Sequence, residues 1–462
     1  MKKTIFTLSL ILMLVLSSTT VFAQSNDIIV AIDSEMVEFT EESGHPFVDE
    51  NSRTLVPFRK ALESYGATVD WNNDERIAIA EKGEIKVEVP IDQSYILVNG
   101  EQKATDTQAK IVNGRTYLPI RAVIEAFGSS VEWDADLKTV VITTVPVDAK
   151  AIFIEANNKS MDWKNYDADI KVDISLDIPD AAGSVQTMNM KMNMYMTLFT
   201  NPIKAKINAD ILVNVAGQEI SQPLMNMYLT MDENGMNQYI GMNANGAYTW
   251  MKQTISNEMF GDLLKYDDEA IEKNKEITEK YTKDVKYFGK YKDGDKTLLK
   301  LEYAMSGEIY KDMLGESLDN MPAPANEQEE ATYEALKALV DGNFGDIKYI
   351  IYVDEATKEI VKYEMNLGDI MQLVMGGMTD LLGEMPQESL DMLKSMKAVM
   401  VMEVLNINQA EDFEIPEEAL NASDVSELLE QLEAPAEEDV EDVESEETEE
   451  TEESVETEET EE

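Results

Sequence analysis

One nine-residue phrase occurs twice, and it constrains the fold more than any other feature of the chain. Asn51-Ser-Arg-Thr-Leu-Val-Pro-Phe-Arg59 returns 62 residues later as Asn113-Gly-Arg-Thr-Tyr-Leu-Pro-Ile-Arg121. No gap is needed through the positions that follow: Glu63 matches Glu125, Gly66 matches Gly128, Val69 matches Val131, Trp71 matches Trp133, and Asp74 matches Asp136. A period of this kind marks one supersecondary unit used twice.

The physics of the unit is readable. Pro57 and Pro119 stand where a helix begins, since proline has a helical φ and the first turn needs no amide proton. Ala61, Leu62 and Tyr65 share one helical face, as do Val123, Ile124 and Phe127. Gly66 and Gly128 suit the left-handed position that ends a helix. Val69 with Trp71, and Val131 with Trp133, alternate inward on a strand. Asp74 or Asp136 supports a turn into a second strand, Ile77–Ile79 or Val140–Ile142. Each unit reads as a helix on a hairpin, preceded by strands such as Tyr95–Val98. Arg59 and Arg121, being repeated, are assigned to structure rather than ligand recognition, each pairing with the glutamate one turn on.

The pattern Gly-Arg-Thr, two apolar residues, Pro-x-Arg, then Gly, Val-x-Trp and Asp, resembles the copper amine oxidase N-terminal-like domain over about residues 27–145. The resemblance implies a stalk module that carries neither copper nor catalysis and is fused to many exported Gram-positive proteins. Asn165-Tyr166-Asp167 matches the short context of the tyrosine that becomes topaquinone in that family. The family's copper is held by three histidines, and this chain has only His45, so oxidase activity is excluded and no cofactor is expected.

The N-terminus reads as a secretory signal: Lys2 and Lys3, an almost wholly apolar run from Ile5 to Leu16, and Val21-Phe22-Ala23 before the expected cleavage. The run is short for a span, and no later segment is long and apolar enough to cross a membrane. Cysteine is absent, which removes disulfides, thiolate metal sites and a lipid-attached cysteine. The 92 acidic residues against 38 basic give a formal charge of −54, which repels a phosphate backbone and argues against nucleic acid as a partner.

From residue 152 the texture changes to long alternating segments: Tyr166–Ile178, Thr187–Leu198, Lys204–Val215, Met225–Met231, Asn237–Met242 and Ala247–Met251 read as an antiparallel meander. Helices are expected at Ser256–Lys275, Ile309–Leu318, Glu327–Val340, Ile370–Leu382 and Glu388–Ser395. Strands Val285–Lys292, Thr297–Ala304, the hairpin Ile347–Asp354 with Glu359–Asn366, and Lys397–Ile407 complete the set. The hairpin wording Tyr349-Ile-Ile-Tyr-Val-Asp354 with Thr357-Lys-Glu-Ile-Val-Lys-Tyr-Glu-Met365, and the ending Phe413-Glu-Ile-Pro-Glu-Glu, are similar to LolA- and LppX-like lipoproteins. That resemblance implies acyl chains or other apolar ligands held between sheet and helices.

The expected fold class is thus α+β: a tandem-repeat stalk, helix on antiparallel strands twice, then a large curved antiparallel sheet with helices on its concave side. The expected division is a signal peptide at 1–23, the stalk at 24–145, a linker at 146–151, the sheet domain at 152–420 and an acidic tail at 421–462. From Glu433 to Glu462, 18 of 30 residues are acidic and none basic, a composition that cannot bury a core and is expected to be disordered.

Methionine is the unusual composition signal. Met188, Met190, Met192, Met194 and Met196 alternate along one strand, Met225, Met227 and Met231 repeat the theme, and Met371, Met375 and Met378 fall on a helix. Thioethers can bind copper(I), can accept varied apolar ligands, or can simply fill a core face. Met188 to Met196, with Met225 and Met227, are the candidate ligand-binding face. No phosphate loop, nucleophile elbow, zinc signature or regular calcium loop occurs. The sequence therefore points to a non-enzymatic exported cell-envelope protein, secreted and wall-associated, with an apolar or lipid-like ligand and envelope components as partners. A structural or adhesive wall protein without a small ligand, and a wall hydrolase, are the alternatives.

Overall fold

The computed structural model describes residues 28–179, 185–215, 218–232, 235–256, 268–309, 345–368 and 395–424, with isolated positions between 311 and 340 and residue 370. The signal peptide, the acidic tail, Met259, Met371, Met375 and Met378, and most of the helices expected between 309 and 395 lie outside the described residues.

In the stalk, β1 (Ile29–Ile32), β2 (Glu35–Met36), β3 (Phe47–Val48) and β4 (Thr54–Pro57) precede helix α1 (Phe58–Ser64). Then come β5 (Thr68–Asn72), β6 (Ile77–Lys82), β7 (Ile85–Pro90), β8 (Tyr95–Val98), β9 (Glu101–Ala104), β10 (Lys110–Val112) and β11 (Arg115–Pro119). Helix α2 (Ile120–Ala126), β12 (Ser130–Asp134) and β13 (Thr139–Thr143) close the second unit. The two copies meet about a local two-fold axis. Strands β4 and β11 pair antiparallel with Val56 opposite Leu118, its own repeat equivalent, and with Pro57 opposite Tyr117. The equivalent rings of Tyr65 and Phe127 lie 5.7 Å apart. One hydrophobic core therefore takes Leu62 and Tyr65 from the first copy and Ile120 and Ile124 from the second.

Both helices end as expected, on Gly66 at φ +87° and Gly128 at φ +83°, with Ala67 N bonded back to Leu62 O at 2.9 Å in the usual left-handed cap. The i,i+4 pairs Arg59–Glu63 and Arg121–Glu125 both form, at 3.3 and 3.5 Å. Three details differ from expectation. Pro57 and Pro119 close the strands and precede the first helical residue, because they take part in the β4–β11 pairing. The turn acceptors are Asn72 and Asp134, not Asp74 and Asp136: a side chain caps amides two and three residues ahead of it, and Asn72 Oδ1 takes the amides of Asp74 and Glu75. Trp133 is 37% exposed rather than inward; at this strand end the other face, carrying Asp134, is the covered one, since β12 packs on the sheet domain.

Helix α3 (Ala149–Met161) starts inside the segment read as linker, because Asp148 caps it by accepting from Ala151 N at 2.9 Å. The sheet domain follows: β14 (Asn165–Pro179), β15 (Val185–Thr200), β16 (Ile203–Val215), β17 (Gln218–Met231), β18 (Gly235–Ala244) and β19 (Ala247–Ser256). Helix α4 (Asp268–Tyr281) leads to β20 (Thr282–Asp293), β21 (Lys296–Met305), β22 (Ile347–Asp354), β23 (Ile360–Asn366) and β24 (Lys397–Leu405). A short α5 (Glu417–Leu420) and β25 (Ser423–Asp424) finish the described chain. Strand β19 and α4 occupy parts of the helix expected at Ser256–Lys275: the former reaches Ser256 and the latter runs six residues past Lys275. These strands form one twelve-stranded sheet in the order β20-β21-β22-β23-β24-β14-β15-β16-β17-β18-β19-β25, antiparallel throughout except at β19–β25.

Stalk and sheet are joined through a buried ion pair. Asp134 and Lys300 are each 0% exposed. Asp134 Oδ1 accepts the amides of Asp136 and Leu137, both at 3.2 Å. Its Oδ2 accepts Lys300 Nζ at 2.7 Å and the Tyr291 hydroxyl at 3.3 Å. Burial pushes the Tyr291 phenol well up, with the Asp134 charge adding to the shift, so that hydroxyl stays a donor. Nearby, Ser34 Oγ accepts Lys290 N at 2.7 Å; Gly289 sits at φ +92°, where a Cβ would also approach Ser34 Oγ to 3.1 Å. Removing one member of a buried pair strands the other charge. Lys300→Met is expected to cost about 3–5 kcal/mol in urea unfolding, and Asp134→Asn added to it should recover most of that loss, since the amide oxygen keeps the turn. Equal losses in single and double variants would show that the pair does not hold the interface.

Candidate functional site

The long strands separate two chemistries by their period of two. The face that carries α3 is called the inner face below. Strand registers trace a row across it from Leu301, Ile351 and Tyr363 through Met402, Ile170 and Met194 to Ala209, Met225 and Met242. The next row runs from Val404 through Ala168, Met196, Ile207 and Met227 to Ile240 and Met251. Among the described residues, no paired inner position of β14 to β19 or β21 to β24 carries Asp, Glu, Lys or Arg.

Helix α3 covers one end of this face. Ala149, Phe153 and Ala156, spaced four and three apart, cluster with Leu299, Leu301, Ile351, Val353 and Ile360, as a helix stripe on a sheet should. The Phe153 ring stacks on Tyr303 at 4.2 Å. Below the helix, Trp163 Nε1 donates to Glu359 at 2.8 Å, and Lys159 pairs with the same carboxylate at 3.1 Å. The hairpin β22–β23 turns on Asp354, whose Oδ1 accepts the amides of Ala356 and Thr357 at 2.8 and 3.1 Å.

The methionines of β15 lie beyond α3. Met190, Met192 and Met194 pack on a cluster of Val172, Ile174, Leu367 and Ala398 and stay partly exposed. Met196, Met225 and Met227 share the face and are half-buried. Met188, at the strand's outer end, is 47% exposed. All seven sequence candidates thus lie on one face, across β15 and β17. Two polar residues of that face were not among them: Gln238 and Gln253, opposite each other on β18 and β19. A glutamine in the alternating run Met236, Gln238, Ile240 is the signal that could have found them.

The outer face is polar and is closed by other parts of the chain. Asp167 is buried and accepts Thr197 Oγ1 and Asn406 Nδ2, both at 2.7 Å. Asn165 takes the amides of Asn408 through its carbonyl and of Ala410 through its side chain. Asn165-Tyr166-Asp167 therefore anchors the chain after β24. Phe413 packs against Phe199 and Tyr228 with Lys204 Nζ 4.4 Å from its ring centre, so the Phe-Glu-Ile-Pro ending closes this face over β15 to β17.

A cleft of about 730 Å³ lies in the stalk, lined by Arg59, Lys60, Trp71 and Arg115 among others. Arg115 is committed to backbone: it donates to the carbonyls of Glu42 and Glu41 at 2.8 and 2.6 Å. Among the described residues no group of three or more His, Asp or Glu side chains is arranged to hold a metal, and no helix is long and apolar enough to cross a membrane.

Residues 31–142 match the family model described as Copper amine oxidase N-terminal domain. No curated protein matches the chain. Among solved structures, the chain is similar to the Mycobacterium tuberculosis lipoprotein LppX at 8% identity, covering 57% of this chain and 97% of that one with a TM-score of 0.27. It is similar to LprF from Mycobacterium bovis at 8% identity, covering 59% and 97% with a TM-score of 0.28. A DUF1329 family protein from Desulfovibrio piger is matched at 9% identity, covering 58% and 96% with a TM-score of 0.18. At TM-scores this low the likeness carries no weight, and function has to come from the side chains of the sheet itself.

The face assignment has a direct test. Met192→Asp sets a carboxylate between Val172 and Ile211 and should cost about 3 kcal/mol or more in chemical unfolding. Asn193→Asp, on the exposed outer face, should stay within about 0.5 kcal/mol. Equal effects at the two positions would contradict the separation of faces.

Proposed function

We propose that this is a non-enzymatic exported cell-envelope protein, whose stalk presents a sheet domain that binds an apolar, lipid-like ligand on the methionine part of the inner face. The observation that carries this reading is the uncharged inner face, with partly exposed thioethers in neighbouring rows of β15 and β17. Methionine is unbranched and polarizable, so such a surface adapts to chains of differing shape. Copper(I) is less well served, because no histidine or cysteine stands beside the thioethers. Hydrolysis of wall material needs converging carboxylates, and the described inner face offers none. An apo-adhesin without a ligand has no need of thioethers left half-exposed.

Native mass spectrometry of the protein purified from its host, with lipid extraction, is the primary test; an apolar species should co-purify. After delipidation, an uncharged fluorescent apolar probe should bind. Replacing Met190, Met192, Met194 and Met196 by Leu should keep probe affinity within a few-fold, since buried area is preserved. Replacing the same four by Gln should weaken it about tenfold or more. Absence of any co-purifying species, with no probe uptake by the stripped protein, would leave the ligand-free structural role standing instead.

A further inference from the structure

The apolar inner face is interrupted at its β18–β19 end by two amides. Gln238 and Gln253 are direct register partners. They continue the row of Leu198, Ala205 and Leu229 from the strands before them. On their own strands they lie between Met236 and Ile240, and between Met251 and Ile255. Gln238 is 2% exposed. The Oε1 atoms of both are buried and have no hydrogen-bond partner.

This is an unusual thing for a folded chain to keep. Buried polar atoms are nearly always paired, and an acceptor withdrawn from water without a donor is a standing cost to stability. Directly opposed residues of an antiparallel pair have Cβ atoms roughly 5 Å apart, so one small group can reach both oxygens. Leucine or methionine at these positions would extend the apolar face at no such cost. Two adjacent unpaired acceptors at the end of an otherwise apolar face therefore mark a place where the donor comes from outside the chain.

We propose that Gln238 and Gln253 seat the head of the ligand, and that the ligand is a neutral amphiphile whose head carries hydroxyl or amide donors. The inference rests on the inner face being an apolar ligand site. Charge chemistry narrows the head group. An ionised carboxylate or phosphate only accepts hydrogen bonds, so it would face two carbonyl oxygens with no cation on the described inner face to offset it. An ammonium would have to shed its water against a face without a counter-charge. A hydroxyl or amide donates at little desolvation cost. From this seat the five strand spacings from β19 back to β14 cover roughly 24 Å, and Met227, Met196 and the residues beside them supply the bed for a long hydrocarbon chain.

The test uses the delipidated full chain and two probes that differ only at the head: 1-hexadecanol, and its methyl ether, which cannot donate. Both are delivered from cyclodextrin, and affinity is read by displacement of an apolar fluorophore. The native protein should bind the alcohol about tenfold more tightly than the ether. The Gln238→Leu, Gln253→Leu variant should bind both at the ether's affinity, because the chain contacts survive. Its ligand-free unfolding midpoint should be no lower than that of the native protein, since two unpaired acceptors are gone. Equal affinity of the native protein for alcohol and ether overturns the head-group assignment and leaves the apolar site intact. So does a variant that still prefers the alcohol. Failure of the native protein to bind either probe overturns the apolar site itself, and the head-group assignment with it. Should the variant not fold, the comparison of alcohol with ether on the native protein decides alone.

Discussion

The carboxylate of Asp134 is the constraint on which the arrangement of the two folded parts depends. One oxygen shapes a turn inside the stalk, and the other receives a lysine and a tyrosine from the sheet. Desolvating an isolated lysine or aspartate is costly, and only their mutual attraction and full hydrogen bonding offset it. Lys300 also lies among the rings of Phe288 and Tyr352, 5.6 and 6.0 Å from their centres. A charge so enclosed has few acceptable positions. The interface is consequently defined by geometry as well as by area, and α3, which follows the stalk within a few residues, is set on the sheet by the same placement.

The repeat explains how such a contact could arise. At the position equivalent to Asp134, the first copy has Asn72, which makes the same turn with the same kind of oxygen. An amide is sufficient for the turn; only the acid has a second oxygen able to hold a cation. The two copies are thus alike in what folds the unit (the strand-closing prolines, the left-handed glycines, the arginine–glutamate pairs) and unlike at the residue that faces the sheet. Trp133 belongs to the same divergence: its strand turns its other side to the sheet domain, and the indole is left at the surface.

Much of this was legible in the sequence because it is local. Gly66 and Gly128 stand where the backbone requires a positive φ, and strict alternation from Met188 to Met196 can only be one face of a strand. The hairpin of Asp354 was visible for the same reason, since an aspartate two residues before an amide makes its own turn. What was not legible is what depends on distant partners. Nothing near Lys300 in sequence announces that it is buried, and among 92 acids no composition argument selects Asp134. Met-rich alternation drew attention to β15 and away from Gln238, whose meaning appears only when the register sets it opposite Gln253. The boundary at residue 146 was misjudged by a few positions because Asp148 was read as part of a linker rather than as a helix cap.

The two faces of the sheet then divide the work. On the outer face, the stalk covers the region around β20 to β22, and the segment after β24 closes the region around β15 to β19 through Phe413 and α5. Polar side chains there are paired with one another, as Asp167 with Thr197 and Lys191 with Glu219 at 2.6 Å, so that face is occupied by its own chain. On the inner face, α3 fills the β20–β23 end with an aromatic stack. The methionine rows of β15 to β17 are more adaptable than that stack, because thioether side chains repack at small cost. A sheet held rigidly from behind can afford such a surface in front: the buried ion pair and the Phe413 closure fix the backbone, and the side chains of the inner face are left free to fit what they bind.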